Sequence, residues 1–188
     1  MWLLTSKGRP DRIRTLVESY LWGGAESQVV LVLDARDPRF AEYMSQGWPV
    51  SWEIEIVNEI GNGPTYNEMF NRHQHEPCYG FMADDQVLET QGMLAKLEIS
   101  ADRWNVSYPD DGIWGERQCT MPCIGGDLAR AAGWLAPPFF HHMSIDSAWW
   151  TIGSRLNSLR YRPDLKYTHN HPLNGKAKWD KTYAEAAL

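Results

Sequence analysis

At 188 residues, 43% hydrophobic and 22% charged, the chain has enough apolar material for one buried core and too little length for two ordinary domains. Its net charge of −6 and pI near 5.5 speak against broad attraction to nucleic acid or to an anionic membrane, so neither is an expected partner. No apolar run reaches the length of a membrane span, Met1–Thr5 turns polar at Ser6–Arg9 too early for a signal peptide, and Cys78, Cys119 and Cys123 lack paired spacing; a soluble, cytoplasmic protein is expected.

Trp2-Leu3-Leu4-Thr5 reads as a first strand, and Pro10 suits the first position of the helix that follows. From Asp11 to Tyr20, residues Ile13, Leu16, Val17 and Tyr20 share one helical face. Val29-Val30-Leu31-Val32-Leu33, apolar at every position and ending at Asp34, has the pattern of a strand covered on both faces. A helix around Phe40 to Met44 and a strand within Trp52 to Val57 come next, then Gly61-Asn62-Gly63-Pro64 turns into a helix holding Tyr66, Met69 and Phe70. Tyr79-Gly80-Phe81-Met82 is the fourth strand, and it runs out at Ala83-Asp84-Asp85-Gln86.

A helix over Thr90 to Ile99 and a strand over Trp104 to Tyr108 continue the alternation. Repeated strand and helix imply right-handed crossovers and an α/β fold, with a Rossmann-like, mostly parallel central sheet and helices on both faces. Past Pro109-Asp110-Asp111-Gly112 the pattern predicts a strand and tight turn over Met121 to Gly126 and a short helix over Leu128 to Ala132. A helix from Ser147 to Leu156 and a strand from Leu159 to Thr168 follow, the strand ending at His169-Asn170-His171. The polar tail beyond Gly175 carries aromatic islands at Trp179 and Tyr183.

In such sheets ligands collect beyond the carboxyl ends of the strands, which puts the Ser6–Arg9 loop, Asp34 and Asp84-Asp85 along one edge. Two carboxylates at the end of a buried strand suit a hard divalent ion that completes its shell with water and substrate phosphates, although Asp-Asp is also a common turn and cap dipeptide. Gly8 permits close approach of the loop backbone to a nucleotide, and Arg9 can pair with a phosphate or lie solvated. Asp34 can accept from a base or ribose, or cap the next segment. Tyr66 and Asn67 can stack on or hydrogen-bond a nucleoside, or pack in the core. Asp146, among His141, His142, Trp149 and Trp150, suits a general base with aromatic faces to hold a sugar ring, or a helix cap. Asp127 at a helix start stands second.

In this order the segments resemble the nucleotide-sugar-dependent glycosyltransferases of the A-type fold, particularly the compact members similar to family-2 enzymes. Thr5-Ser6-Lys7-Gly8-Arg9-Pro10 looks like their first strand and nucleotide loop, Leu33-Asp34 like the second strand with its base-facing acid, and Met82-Ala83-Asp84-Asp85 like their Asp-x-Asp motif. Ile124-Gly125-Gly126-Asp127-Leu128 looks like the acceptor-side turn and helix, and Ile145-Asp146-Ser147-Ala148-Trp149 like the segment that carries the catalytic acid. His169-Asn170-His171 matches the late histidine of the metal shell. The chain departs from the pattern in its length, in Ala-Asp-Asp for Asp-x-Asp and in an abbreviated acceptor region.

The resemblance implies a hexosyltransferase-like enzyme that moves a sugar from a nucleoside diphosphate sugar to an unknown acceptor with Mn²⁺ or Mg²⁺, inverting through Asp146. It further implies Asp85 with His169 or His171 on the metal, Asp84 on the ribose or a metal-bound water, and Gly125, Gly126 and Trp149 toward the acceptor. One domain is implied, with residues of about 1–110 as its nucleotide half, about 111–172 as its acceptor half and 173–188 as a tail. A nucleotidyltransferase on a similar sheet and a noncatalytic nucleotide- or carbohydrate-binding module are the alternatives.

Overall fold

The computed structural model of the chain describes residues 1–24, 27–58 and 61–178, so Trp179 and Tyr183 lie outside the described residues. The elements in chain order are β1 (Trp2–Ser6), α1 (Pro10–Trp22), β2 (Val29–Asp34), α2 (Phe40–Met44), β3 (Trp52–Val57), α3 (Asn62–Arg72), β4 (Cys78–Ala83) and β5 (Gln86–Leu88). They continue with α4 (Met93–Ala101), β6 (Val106–Asp110), β7 (Cys123–Gly125), α5 (Gly126–Ala132), α6 (Ile145–Arg155) and β8 (Leu159–His169).

The inner strands β1 and β2 are buried along nearly their whole length because both of their faces are covered. Trp2 and Leu4 of β1 and Val29, Leu31 and Leu33 of β2 enter one core layer with Ile13, Leu16 and Tyr20 of α1 and Leu97 of α4. Leu3, Val30 and Val32 point the opposite way, toward Tyr66, Met69 and Phe70 of α3, Leu128 of α5 and Trp149 of α6. Burial of Ile13 and Leu16 contributes about 2 kcal/mol each at most.

The sheet runs β3-β2-β1-β4-β7-β6-β8-β5. β3, β2, β1 and β4 are parallel, while β7 is antiparallel to both β4 and β6, so β6 and its parallel neighbour β8 point the same way as β1 and β4. The carboxyl ends of β1, β2, β4, β6 and β8 therefore share one edge.

β5 is absent from the sequence pattern because three residues are too few to show an alternation. It exists through its partner. β8 pairs with β6 from Leu159 to Arg162, shifts register at Pro109/Asp110, and then pairs antiparallel with β5 through Gln86↔His169, Val87↔Thr168 and Leu88↔Tyr167. β8 thus swings across the carboxyl edge and delivers its end to the Asp84-Asp85 turn. Smaller differences are local. α4 starts at Met93, after Gly92 in a left-handed conformation, and the strand expected at Trp104 begins at Val106 because Asp102, at φ 39°, turns the chain first. The strand expected over Met121 to Gly126 narrows to Cys123–Gly125, with Gly126 already in α5. Among the described residues no helix is long and apolar enough to cross a membrane, and the three cysteines are buried free thiols.

Candidate active site

Asp84 and Asp85 leave the end of β4 buried, each 6% exposed. The Gln86 side chain closes their turn by accepting the Ala83 amide at 3.1 Å. Ser6, one strand over on β1, donates to Asp84 Oδ2 at 2.6 Å, and Tyr43 Oη lies 2.7 Å from Ser6 Oγ while accepting the Arg9 amide at 2.8 Å. An ionised carboxylate only accepts, so the Ser6 proton goes to Asp84 and the Tyr43 proton to Ser6. The Arg9 guanidinium completes the cluster, 3.3 Å from Asp84 Oδ1 and itself buried. Burial, and then the charge of Asp85, push Asp84 up to about 6 against the opposing pull of Ser6 and Arg9.

Two of the loop's amides, those of Gly8 and Arg9, already have acceptors within the protein, which narrows what the loop can offer a nucleotide. Asp37 takes the Gly8 amide and Tyr43 takes that of Arg9. The loop instead presents Lys7, half-exposed and 3.5 Å from Asp34. Asp34 takes the capping role envisaged for it, accepting the Arg36 amide at 2.9 Å, and the same carboxylate also accepts from the Arg36 guanidinium at 3.0 Å. Burial pushes Asp34 upward, but the hydrogen bonds from Arg36 and the charges of Arg36 and Lys7 hold it below the ordinary range.

β5 brings His169 beside this pair from 84 positions further along the chain. Its Nε2 stands 3.6 Å from Asp85 Oδ1, its buried Nδ1 has no hydrogen-bond partner among the described residues, and the His171 ring packs edge-on at 5.1 Å. Burial and the His169 and Arg9 charges depress His171, while Asp85 opposes them. Two ligand atoms on one small divalent ion lie about 3.0–3.6 Å apart, so Asp85 and His169 fit as an adjacent ligand pair. No group of three or more His, Cys, Asp or Glu side chains is arranged around a common ion among the described residues, and the remaining positions of a shell fall to water and phosphate oxygens.

Asp84 and Asp85 wall a cleft of about 470 Å³, shared with Arg12 and Thr15 of α1, Asn170, Lys176 and Lys178. That volume lies within the range of small-molecule sites. Sequence reasoning missed Arg12, Lys176 and Lys178. Lysines in a polar tail carry no periodic signal, and only the turn after β8 lays them against the acids.

The half of the chain expected to face an acceptor carries a strap, residues 135–144, between α5 and α6. Gly61 (φ 87°) and Gly63 let it lie on the start of α3: a Cβ at either position would overlap the His141 or Phe140 carbonyl oxygen, and the Gly63 amide donates to His141 O at 2.9 Å. Asn67 ties the strap down, accepting the Leu135 and Ala136 amides at 2.9 Å each and donating to Ala136 O at 2.8 Å. Asn67 is thus a structural bridge and does not face a nucleoside. The strap carries His142 to Arg9, where burial and the guanidinium charge lower its pKa.

Asp146, in the first turn of α6, is half-buried and accepts the Ser147 amide at 2.8 Å. Its charge reaches Tyr66, whose hydroxyl is pushed up to about 12 chiefly by burial. Tyr66 itself is core: it stacks on Phe81 at 4.2 Å, with its hydroxyl 3.5 Å from Thr5 Oγ1 at the end of β1. Trp149 is fully buried, donates to Leu135 O at 2.7 Å and packs on Trp134, so it cannot hold an acceptor. Gly125, Gly126 and Asp127 lie at the opposite edge of the sheet. β7 runs antiparallel to β4 with Gly125 beside Cys78, six residues and about 20 Å from Asp84. Gly125 and Gly126 admit the backbones of Arg103 and Glu76, and Asp127 is held by Arg103 and Arg130. These three residues are corrected from acceptor and catalytic roles to packing and surface pairing.

A mannosyltransferase from Pyrobaculum calidifontis, solved with GDP-Man and Mn²⁺, superposes with a TM-score of 0.71 at 12% identity over 93% of this chain and 57% of that one. This is the A-type nucleotide-sugar transferase fold. Similar A-type architecture appears in TarS from S. aureus, with a TM-score of 0.63 at 14% identity over 88% of this chain and 58% of that one. A nucleotidyl transferase from Methanothermobacter gives 0.55 at 16% identity over 92% and 88% of the two chains. The chain thus spans under three-fifths of the first two structures. No protein-family model and no curated protein matches the sequence.

Proposed function

We propose that the chain is a nucleotide-sugar-dependent glycosyltransferase working at the carboxyl edge of its sheet, with residues of about 1–110 serving the donor and about 111–172 the acceptor in one domain. The observation that carries this reading is the gathering of side chains on the Asp84-Asp85 turn at the mouth of a cleft: Ser6 and Arg9 bond to Asp84, and His169 stands 3.6 Å from Asp85. Asp85 and His169 would hold Mn²⁺ or Mg²⁺, which when bound neutralises charge on the departing diphosphate. Asp84 keeps Ser6 and Arg9 in register, and Arg12, Lys176 and Lys178 offer positive charge to phosphate oxygens. The acceptor hydroxyl attacks the anomeric carbon and gives its proton to Asp146 as the bond to the diphosphate breaks, and the nucleoside diphosphate leaves with the electron pair. One displacement inverts the sugar.

The test is a thermal-shift panel of uridine, guanosine, cytidine and thymidine diphosphates with and without Mn²⁺, run beside Asp85→Asn. One nucleotide should raise Tm by several degrees with metal in the native protein and not in the variant; no shift from any nucleotide in any metal sinks the reading. A nucleotidyltransferase is the second reading, favoured by one observation: the match to the Methanothermobacter nucleotidyl transferase covers 88% of that chain, against 57% of the mannosyltransferase. Release of pyrophosphate from a nucleoside triphosphate and a sugar 1-phosphate would select it.

A further inference from the structure

Tyr167, two residues before His169, is one of the most completely buried groups near the cleft. Its hydroxyl lies 2.6 Å from Thr120 Oγ1, and Thr120 donates to Asp111 Oδ2 at 3.0 Å. The other Asp111 oxygen accepts the amides of Ile113, Trp114 and Gly115 at 2.9, 2.7 and 3.1 Å. The direction of the chain follows from its end. A carboxylate only accepts, so Thr120 spends its one proton on Asp111, and Tyr167 must spend its own on Thr120. The line is polarised from β8 into the loop of residues 111–117.

That loop and the two residues after it, Gln118 and Cys119, abut the first turns of the helix that carries Asp146. Tyr108 and Trp150 both donate to Glu116 O, at 3.0 and 3.2 Å, Gln118 donates to Ser147 Oγ at 2.7 Å, and Cys119 Sγ lies 3.1 Å from Asp146 O. At the other end the Tyr167 ring lies 6.0 Å from that of His169, which faces Asp85. Asp111, Asp85 and Asp146 all lie near enough for their charges to act on the Tyr167 hydroxyl.

We infer that Tyr167 is a positioning residue that joins the cation-binding side of the cleft to its acceptor side, through Thr120 and Asp111, so that engagement of His169 tightens the 111–117 loop beside Asp146. The inference rests on the proposed role of Asp85 and His169. It differs from ordinary core packing because it makes the loop respond to a ligand that the loop does not touch.

The full chain is tested with Mn²⁺ alone as probe, binding being read from the free-ion electron paramagnetic resonance signal and loop order from amide hydrogen exchange of a peptide covering residues 111–117. In the native protein Mn²⁺ should slow exchange at residues 113–115 by about fivefold or more. Tyr167→Phe, which removes one oxygen and leaves Asp111 capped, should still bind Mn²⁺ within about threefold of the native affinity but lose that slowing. Thr120→Val should behave the same way. If either variant binds Mn²⁺ and keeps the full slowing, the coupling is refuted while the metal reading stands. If the native protein binds no Mn²⁺, both fall together.

Discussion

Asp84 and Asp127 each sit at a sheet edge with arginine beside them, and the structure treats them in opposite ways. At the carboxyl edge Asp84 is enclosed with Asp85, Ser6 and a buried Arg9, and its pKa rises to about 6. At the amino edge Asp127 is half-buried between Arg130 and Arg103; the Arg130 hydrogen bond, joined by that of Arg103 and by both charges, outweighs burial and holds it below the ordinary range. Ion pairing alone lowers a carboxyl. A raised carboxyl beside an arginine therefore marks enclosure with a second acid, a pattern typical of sites that receive cations or protons.

Turnover tests the contrast most strongly. Asp85→Asn and Asp146→Asn should each lower sugar transfer by about a hundredfold or more, whereas Asp127→Asn should leave it unchanged. Equal losses at both edges, measured as released nucleoside diphosphate, would dissolve the distinction.

The next effect is one of pH. Because Asp84 sits at about 6 when folded, against 3.8 for a free aspartate, the folded state holds a proton that the unfolded chain has already released between those pH values. Its contribution to stability therefore falls as pH rises through that window. Asp84→Asn lacks the penalty, so its Tm relative to the native protein should climb between pH 4 and 7, by up to about 3 kcal/mol or about 8 °C. A flat difference across calorimetric scans at several pH values would show that Asp84 is not enclosed as described.

Gly63→Ala sharpens the comparison from the strap of residues 135–144. A methyl group there meets the Phe140 carbonyl oxygen, so the strap must shift, at a cost of about 2 kcal/mol in denaturant unfolding and with loss of transfer ahead of donor binding. The smallest effect belongs to the open edge: Asp127→Asn should move Tm by about 2 °C or less, as exposed ion pairs do.

Much of the carboxyl edge was legible before any coordinates. The apolar runs of β1, β2 and β4 and the helical face of Ile13, Leu16 and Tyr20 announce a covered parallel sheet, and that sheet determines which strand ends meet. The Gly125-Gly126-Asp127 segment misled because a glycine pair before a helix reads the same at either edge. Strand direction decides which, and β7 runs antiparallel. Tyr66, Asn67 and Trp149 stand near the expected site yet face inward, since side-chain direction depends on what packs above them.

The sequence by itself determined the α/β alternation, the acid pair at a strand end and the loop before Pro10, because each is a local pattern of period, charge or turn chemistry. Only the tertiary structure decided that a three-residue β5 recruits the end of β8, that His169 stands 3.6 Å from Asp85, and that Asp127 is excluded. Those outcomes rest on pairings between segments up to 84 positions apart, where register and strand direction, not residue identity, set which side chains meet.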